Sequence, residues 1–258
     1  MSELHRIADL KTLAEIELMR EAGRVVAGAH RLVKSLVAPG ISTTEIDQAI
    51  ENFLLSKQSQ PLFKGVPGVV PFPAVSCISV NDEVVHGIPS ERKLCAGDVV
   101  SVDIGAKLNG WCGDSAWTYA VGKISPEHEL LMEVGEGVLM LALELMKNHR
   151  RWSEVATNMQ EYVFSHDLAI VLDFVGHGIG QDMHEEPEVP NFWVDDMEGD
   201  FIIEPGIVLA IEPMVAIGSG EIYITEDHWT VKTLDQGFAV HFEHTIAMTK
   251  DGPTLLTI

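Results

Sequence analysis

A chain of 258 residues with 46% hydrophobic and 22% charged residues is typical of a globular protein of one large or two small domains. Its 17 basic and 39 acidic residues give a net charge of −22. This balance argues against nucleic acid or an anionic membrane as a partner, because both attract basic patches.

Cysteine usage and the N-terminus indicate the compartment. Cys77, Cys95 and Cys112 are odd in number and lack C-x-x-C spacing, which disfavours a disulfide framework or a cysteine zinc site. The first residues lack the basic and apolar segments of a signal peptide, and no apolar run approaches membrane-spanning length. We therefore expect a cytoplasmic protein without a membrane partner.

The first part of the chain predicts two helices and then strands. Apolar residues at helical spacing predict a helix from about Thr12 to Val37, which Pro39-Gly40 ends. Ser42-Thr-Thr-Glu45 is a capping box that predicts the start of a second helix. Residues 61–76, rich in Pro, Gly and Val, predict a loop. Strand-like runs lie near residues 74–80, 98–106 and 112–121.

The same order of elements returns in the second part. Ser125-Pro126 predicts the start of a long helix. Its apolar face is predicted to consist of Leu130, Val134, Val138, Leu141 and Leu145. Ser153 predicts the start of another helix, with Val155 and Met159 on one face, and strand-like runs follow from about residue 168.

Two short segments that align residue by residue indicate an internal duplication. Gly97-Asp-Val-Val-Ser-Val-Asp103 aligns with Gly206-Ile-Val-Leu-Ala-Ile-Glu212, with an acid six residues after a glycine in both. A chance match of two apolar strands is the alternative. We predict one α+β catalytic domain, 1–258, with pseudo-symmetric halves at about 10–121 and 122–258 that share a ligand-binding interface.

Four acids and one histidine lie in apolar or glycine-rich surroundings, where an unpaired charge is costly. They are Asp103, Asp114, His177, Glu212 and Glu243. No Lys or Arg lies in the runs that contain them, so metal ions are the expected partners.

A predicted hairpin brings two of the acids together. Asn109-Gly110 is typical of a tight turn. With these residues in the turn, Asp114 lies opposite Gly105, and Asp103 and Asp114 become diagonal neighbours on one face. We expect the missing side chain at Gly105 to leave room for the ion. The alternative is that Asp114 belongs to an exposed turn.

Two of the segments that contain predicted ligands, those of His177 and Glu243, contain further histidines. His177 and His184 lie in a glycine-rich segment, where glycine disfavours a helix and permits close approach to a ligand or an unusual turn. A purely structural role is the alternative. His241 and His244 flank Glu243 on an expected strand, so their side chains are predicted to face away from it and to support the structure.

Ligand type and number predict the chemistry. Oxygen ligands with one imidazole are typical of Mn(II), Fe(II) or Co(II) rather than of structural zinc. Five ligands are too many for one catalytic ion that keeps an open position, and they suit two neighbouring ions. Such a pair indicates hydrolysis of an amide, an ester or a phosphate.

Taken together, the motifs resemble type I, bacterial-type methionine aminopeptidase over nearly the whole chain. The motifs are Val85-His-Gly-Ile-Pro89, Asp103 with Asp114, Gly176-His-Gly-Ile-Gly180, His184-Glu-Glu-Pro187, Ile211-Glu-Pro-Met214 and Phe242-Glu-His-Thr245. No long insertion separates His184 from Glu212, unlike in the type II form, and no N-terminal zinc-finger extension is expected.

The resemblance implies a fold, a reaction and a cofactor. The fold is the pita-bread fold, in which helices cover a curved antiparallel sheet. The reaction is removal of the initiator methionine from nascent chains when the second residue is small, and the cofactor is two divalent ions (Co, Mn, Fe or Zn). It implies that Asp103 binds one ion, that His177 and Glu212 bind the other, and that Asp114 and Glu243 bridge them.

The resemblance also implies catalytic roles. A hydroxide between the ions would attack the carbonyl that follows the methionine, with Glu212 as general base. His184 would stabilise the oxyanion, and His86 would hydrogen-bond near the scissile nitrogen. The free amino group of the substrate would ligate an ion, which would limit cleavage to one residue.

A methionine pocket should be apolar and adaptable. Positions that match the family's pocket are Phe72, Cys77 and Trp229. Three positions depart from common family residues: Val69, Met183 and His241. The first two are expected to widen or soften the pocket.

Two alternatives stay open. One is an aminopeptidase of the same fold that cleaves Xaa-Pro bonds, although such relatives usually carry a further N-terminal domain. The other is a non-catalytic homologue that binds peptides or ribosomes, although such proteins lose metal ligands. We expect a monomer that acts on N-terminal methionyl peptides and contacts the ribosome transiently.

Overall fold

The computed structural model describes residues 8–193 and 198–258, so the N-terminal residues examined for a signal peptide lie outside it. Its helices are α1 (Leu13–Leu36), α2 (Thr43–Ser56), α3 (Pro126–Leu145) and α4 (Trp152–Phe164). Its strands are β1 (Gln60–Pro61), β2 (Cys77–Val80), β3 (Glu83–Val85), β4 (Val99–Leu108), β5 (Trp111–Ala120), β6 (Ala169–Ile170), β7 (Gly176–Gly178), β8 (Glu185–Val189), β9 (Val208–Ile211), β10 (Met214–Ala216), β11 (Ile222–Ile224), β12 (Val231–Thr233), β13 (Ala239–His241), β14 (His244–Thr249) and β15 (Gly252–Leu255). Within these ranges, no helix is long and apolar enough to cross a membrane.

Capping boxes determine where the first two helices begin, as predicted. The Thr12 side chain accepts a hydrogen bond from the backbone N–H of Glu15, whose carboxylate accepts one from the Thr12 N–H. Ser42 and Glu45 make the same reciprocal pair at the start of α2. The predicted starts of both helices are therefore confirmed.

The third helix begins as predicted, but its buried face differs in part from the predicted one. Ser125 accepts a bond from the N–H of His128 at the start of α3. The buried residues of α3 are Leu131, Val134, Gly135, Val138, Leu139 and Ala142, whereas Leu130 is exposed. The predicted face is confirmed at Val134 and Val138 but wrong at Leu130, because apolar residues occur nearly all round this helix and their spacing does not define one stripe.

The fourth helix begins at Trp152, one residue before the predicted start at Ser153. Arg151 is the N-cap, and Ser153 lies inside the first turn. There the N–H and hydroxyl of Ser153 donate to the carboxylate of Asp200. The acceptor at this helix start is thus distant in sequence, which local spacing could not indicate.

The hairpin of β4 and β5 has the predicted register. Leu108 lies opposite Trp111, and Gly105 lies opposite Asp114. The hairpin joins β1 and β2 in a four-stranded sheet, and a five-stranded sheet has the order β15-β14-β9-β7-β8. Every strand pair in the described ranges is antiparallel, so the α+β prediction is confirmed.

Matching segments support the proposed duplication. Gly97 and Gly206 have left-handed φ values of +101° and +105°, and β4 and β9 each begin two residues later. The N-caps of α2 and α4, Ser42 and Arg151, differ by 109 positions, the same spacing as the two glycines. These matches support the proposal that the halves 10–121 and 122–258 repeat one unit.

Two hydrophobic clusters hold the strands that carry the predicted ligands. One joins α1 and α2 to β2, β4 and β5, and includes Val102 and Ile104. The other joins α3 and α4 to β9, β10 and β13, and includes Leu209 and Ile211. Because side chains alternate along a strand, Asp103 and Glu212 are directed away from these clusters.

Candidate metal centre and active site

The β4–β5 hairpin supplies two of the predicted ligands. Asp103 lies opposite Ala116, and Asp114 lies opposite Gly105, so the two aspartates are diagonal neighbours on one face. Asp114 is 4% exposed, which excludes the alternative of an exposed turn. The backbone N–H of Asp114 donates to the Thr245 hydroxyl, which ties the hairpin to β14.

The other three predicted ligands come from the second half of the chain. His177 on β7 lies opposite Ala210 on β9, and Glu212 directly follows β9. Glu243 lies between β13 and β14, and its backbone N–H donates to the carbonyl of Ala116. This bond places Glu243 against the strand that carries Asp114.

All five predicted ligands line one cavity of about 570 Å³. Ligand atoms of Asp114, His177 and Glu243 lie within 4.8 Å of one another. The His177 Nε2 atom is 3.6 Å from Glu212 Oε1. The structure therefore brings together, across both halves, residues that are up to 140 positions apart.

The carboxylates lack partners of opposite charge. Asp103 Oδ1, Asp114 Oδ1 and Glu243 Oε1 are buried without a hydrogen bond, and no Lys or Arg lines the cavity among the described residues. Burial, reinforced by the neighbouring acids, raises the pKa values of Asp103, Glu212 and Glu243 well above their usual values. Burial also raises the pKa of Asp114 to about 7. Buried carboxyl oxygens that lack both a hydrogen bond and a Lys or Arg partner are suited to bind divalent cations.

The geometry of His177 suits a metal ligand. Its Nδ1 lies 2.9 Å from the Gly178 carbonyl oxygen, which favours a proton on Nδ1 and leaves the Nε2 lone pair free. Burial lowers the pKa of His177 to about 4, so the ring is neutral at pH 7.

Two further histidines lie on the cavity wall, as expected from the sequence. The His184 ring lies 4.3 Å from the His177 ring, centroid to centroid. His86 has a left-handed φ of +56°, and its ring packs edge-on against Phe174 at 5.4 Å. Burial lowers the pKa of both, to about 4 for His86, so each is neutral at pH 7 and can donate one N–H.

The cavity has an apolar end next to the carboxylates. Phe72, Cys77 and Trp229 lie there as expected, with the Phe72 and Trp229 rings in an edge contact at 5.2 Å. Sequence reasoning missed further lining residues, namely Phe63, Val66, Phe174 and Val175. Phe63 and Val66 lie in a loop without periodicity, so no local pattern identified them.

Gly105 makes room for an aromatic ring and not for an ion. A Cβ atom at Gly105 would lie 2.8 Å from the Phe63 ring. The predicted reason for this glycine is therefore wrong. Its missing side chain lets Phe63 pack at the apolar end of the cavity.

The expected softening of the pocket holds for only one of two positions. Met183 lines the cavity, whereas Val69 is 80% exposed and does not. The loop that carries Val69 is anchored by the next residue, because Trp229 Nε1 donates to the Val70 carbonyl at 2.7 Å. Val69 therefore leaves the shape of the cavity unchanged.

His241 faces the carboxylates, contrary to the prediction. The prediction was wrong because residues two apart on a strand point to the same side, so His241 is expected on the side of Glu243 and only His244 on the opposite side. The His241 Nε2 atom lies 3.5 Å from Glu212 Oε2. His244 does face away, and its Nδ1 contacts the Thr257 hydroxyl at 2.7 Å.

The glycines around His177 serve strand packing. A Cβ atom at Gly176 would overlap the Ala210 carbonyl, and one at Gly178 would overlap the Glu186 carbonyl. The segment forms β7 between β8 and β9. Close approach to neighbouring strands, and not to a ligand, explains these two glycines.

The sequence matches a known metallopeptidase family over most of its length. Residues 17–250 match the pattern of metallopeptidase family M24. The chain belongs to this family. The M24 assignment agrees with a cavity lined by carboxylates and imidazole.

M24 relatives cover nearly all of the chain. Methionine aminopeptidase 1 of Bacillus subtilis is 47% identical over 247 residues, which are 96% of this chain and 98% of that protein. The crystal structure of methionine aminopeptidase from Thermotoga maritima has a TM-score of 0.91 at 38% identity, covering 96% and 98% of the two chains. The resemblance and the pita-bread fold predicted from the motifs are confirmed.

A more distant solved structure shares the fold alone. The prolidase from Pyrococcus furiosus is 22% identical, with a TM-score of 0.76. The alignment covers 98% of this chain and 66% of the prolidase. A third of that longer protein thus has no counterpart here.

Proposed function

We propose that this chain is a metal-dependent aminopeptidase that removes the initiator methionine from nascent proteins when the second residue is small. The observation that carries the proposal is that one cavity contains all five predicted metal ligands and two neutral histidines next to an apolar end. The high similarity to named methionine aminopeptidases over the full cavity-forming region supports it.

Five side chains would hold two divalent ions, whose identity is Co, Mn, Fe or Zn. They are Asp103, Asp114, His177, Glu212 and Glu243. Their buried, unpaired oxygen atoms and the lone pair on His177 Nε2 support this assignment. When bound, such ions activate water and polarise the scissile carbonyl.

The protein side chains move the proton and stabilise the developing charge. Glu212 would accept a proton from the attacking water, because its carboxylate lines the cavity among the other proposed ligands. His184 donates an N–H to the carbonyl oxygen as negative charge develops on it. His86 donates an N–H near the scissile nitrogen and orients the substrate.

The apolar end of the cavity would bind the methionine side chain. Phe72 and Trp229 provide two aromatic walls, and Cys77 and Met183 provide sulfur atoms. An unbranched thioether adapts to such a surface and gains favourable sulfur–aromatic contacts.

Two peptides test the proposed specificity. We expect the metal-reconstituted protein to release methionine from Met-Ala-Ser and to leave Ala-Pro-Ser intact, with free amino acids measured by chromatography. A preference for Ala-Pro-Ser would overturn the assignment in favour of an Xaa-Pro enzyme. Failure to cleave either peptide would favour a non-catalytic peptide-binding or ribosome-binding protein.

We propose that the enzyme works in the cytoplasm as a monomer. It would meet nascent chains through transient contact with the ribosome. The net charge of −22 supports the absence of a stable complex with nucleic acid or an anionic membrane.

A further inference from the structure

His241 is held in place by its backbone beside the predicted catalytic acid. Its backbone N–H lies 3.2 Å from the Ser101 hydroxyl and 3.1 Å from the Thr118 hydroxyl. The Thr118 hydroxyl lies 2.8 Å from the His241 carbonyl oxygen. His241 also pairs with Met214 across β10 and β13, so its backbone is fixed next to Glu212.

The ring of His241 has an unused polar atom directed at Glu212. The residue is 3% exposed, and its buried Nε2 has no hydrogen-bond partner. The polar atom for which this nitrogen is best placed is Glu212 Oε2, at 3.5 Å. A buried polar atom without a partner is costly, which favours a bond to this oxygen.

Two histidines therefore lie at opposite oxygens of one carboxylate. His177 Nε2 is 3.6 Å from Oε1, and His241 Nε2 is 3.5 Å from Oε2. His177 is protonated on Nδ1, toward the Gly178 carbonyl, so its Nε2 cannot donate. His241 has no such bond at Nδ1 among the described contacts, so its Nε2 is free to carry the proton.

We propose that His241 is a positioning residue that donates its Nε2–H to Glu212 Oε2 and thereby directs Oε1 toward His177 and the metal. The inference rests on the proposed function, because it takes Glu212 as a metal ligand and general base. The 3.5 Å separation exceeds a well-formed N–H···O bond, and bonds of this kind in active sites commonly shorten when substrate binds. A partner that orients a ligand contributes to metal affinity as well as to turnover.

Three substitutions separate hydrogen bonding from packing. His241→Gln keeps an N–H donor at similar reach, His241→Asn keeps an amide that is too short, and His241→Leu has no donor. We expect the Leu and Asn variants to bind Co²⁺ roughly 10-fold more weakly and to show a lower kcat with unchanged KM. The Gln variant should recover most of both losses.

The measurements are calorimetric titration of metal-free protein with Co²⁺, visible absorption of the bound ion, and steady-state kinetics on Met-Ala-Ser. His244→Gln is the matched control, since this buried histidine contacts Thr257 and should leave Co²⁺ affinity unchanged. If the Leu variant does not fold, the comparison of Gln with Asn decides.

Two results would overturn the inference. One is wild-type Co²⁺ affinity and kcat in the Asn or Leu variant, and the other is a Gln variant as impaired as a folded Asn variant. A separate Glu212→Gln variant tests the underlying assumption. Wild-type activity in that variant would contradict the proposed role of Glu212, whatever His241 does.

Discussion

Burial of four carboxyl groups in one cavity sets its chemistry at the residue scale. Burial raises the pKa values of Asp103, Asp114, Glu212 and Glu243, mutual repulsion adds to the effect for all but Asp114, and no Lys or Arg lines the cavity among the described residues. Divalent ions held as proposed would replace this cost by attraction, which would couple metal binding to folding. We therefore expect the same four residues to be costly in the metal-free protein and stabilising in the metal-bound protein.

Glu212 is the residue whose loss should abolish catalysis. We expect Glu212→Ala to lower kcat/KM on Met-Ala-Ser by about 10³-fold or more, since both general-base and ligand roles are lost. The thermal unfolding midpoint of the metal-free variant should be equal to or above that of the wild type, because a buried acid is removed. Full activity of this variant would contradict the mechanism.

The raised carboxyl pKa values predict how the stability of the metal-free protein depends on pH. Between its usual pKa and its raised pKa, a carboxyl holds a proton in the folded state that the unfolded state has released. Stability therefore falls as pH rises through this range, which for Asp114 extends from 3.8 to about 7. Buried His86, His177 and His241 have lowered pKa values and act in the opposite direction, but only below 6.5.

Above pH 6.5 the histidine effect disappears, so we expect the unfolding midpoint of metal-free protein to fall from there to about pH 8.5. The buried thiols of Cys77 and Cys112, whose pKa values are also raised, act in the same direction near pH 9. Calorimetry after treatment with a chelator measures it. Asp114→Asn should give a shallower fall, because its side chain cannot ionise. A midpoint that stays constant or rises over this range would contradict the raised pKa values.

At the scale of elements, the position of His177 depends on close packing of β7 between its neighbours. Gly178 lies next to His177, and a side chain there would overlap the Glu186 carbonyl on β8. A disturbance of this pair would move the imidazole relative to Glu212. Strand packing and ligand geometry are thus linked through a single glycine.

We expect Gly178→Ala to lower the free energy of unfolding by about 1–3 kcal/mol, because the added methyl overpacks the sheet. It should also weaken Co²⁺ binding through the displaced His177. Gly110→Ala is the matched control: it lies in the turn at φ +86° with open space around it. Denaturant unfolding and Co²⁺ titration should show a stability loss for both variants but weaker metal binding only for Gly178→Ala.

Local sequence predicted those elements whose signals lie within a few residues. Apolar spacing located α1, a capping box located α2, and Asn109-Gly110 set the register that pairs Gly105 with Asp114. The start of α4 and the buried face of α3 could not be predicted in this way. Asp200, which accepts the bonds from Ser153, is distant in sequence, and only tertiary contacts select one face of an apolar helix.

At the scale of the whole molecule, the excess of acid extends to the mouth of the cavity. Glu186 and Glu188 are exposed, line the cavity and form no ion pair among the residues that the structure describes. Glu188 lies opposite His177 across β7 and β8, so its charge is close to the reaction site. A field of one sign steers substrates of the opposite sign toward a cleft.

From this negative field we predict a preference for substrates with basic residues after the second position. We expect kcat/KM for Met-Ala-Lys-Lys to exceed that for Met-Ala-Glu-Glu by roughly tenfold at low salt, with the ratio approaching one at high salt. The double variant Glu186→Gln/Glu188→Gln should reduce the ratio at low salt. Equal values for the two peptides at low salt would show that the acidic mouth does not influence substrate choice.

The sequence by itself determined the hairpin and the family, and it predicted the ligand set that we propose. Each depends on residue type and short spacing, as with acids on apolar strands or the matching Gly97 and Gly206 segments. Only the tertiary structure decided which residues meet. It placed Phe63 over Gly105, turned Val69 to solvent and brought His241 to Glu212. The physical reason is that these contacts join segments far apart in the chain, and their geometry depends on packing rather than on periodicity.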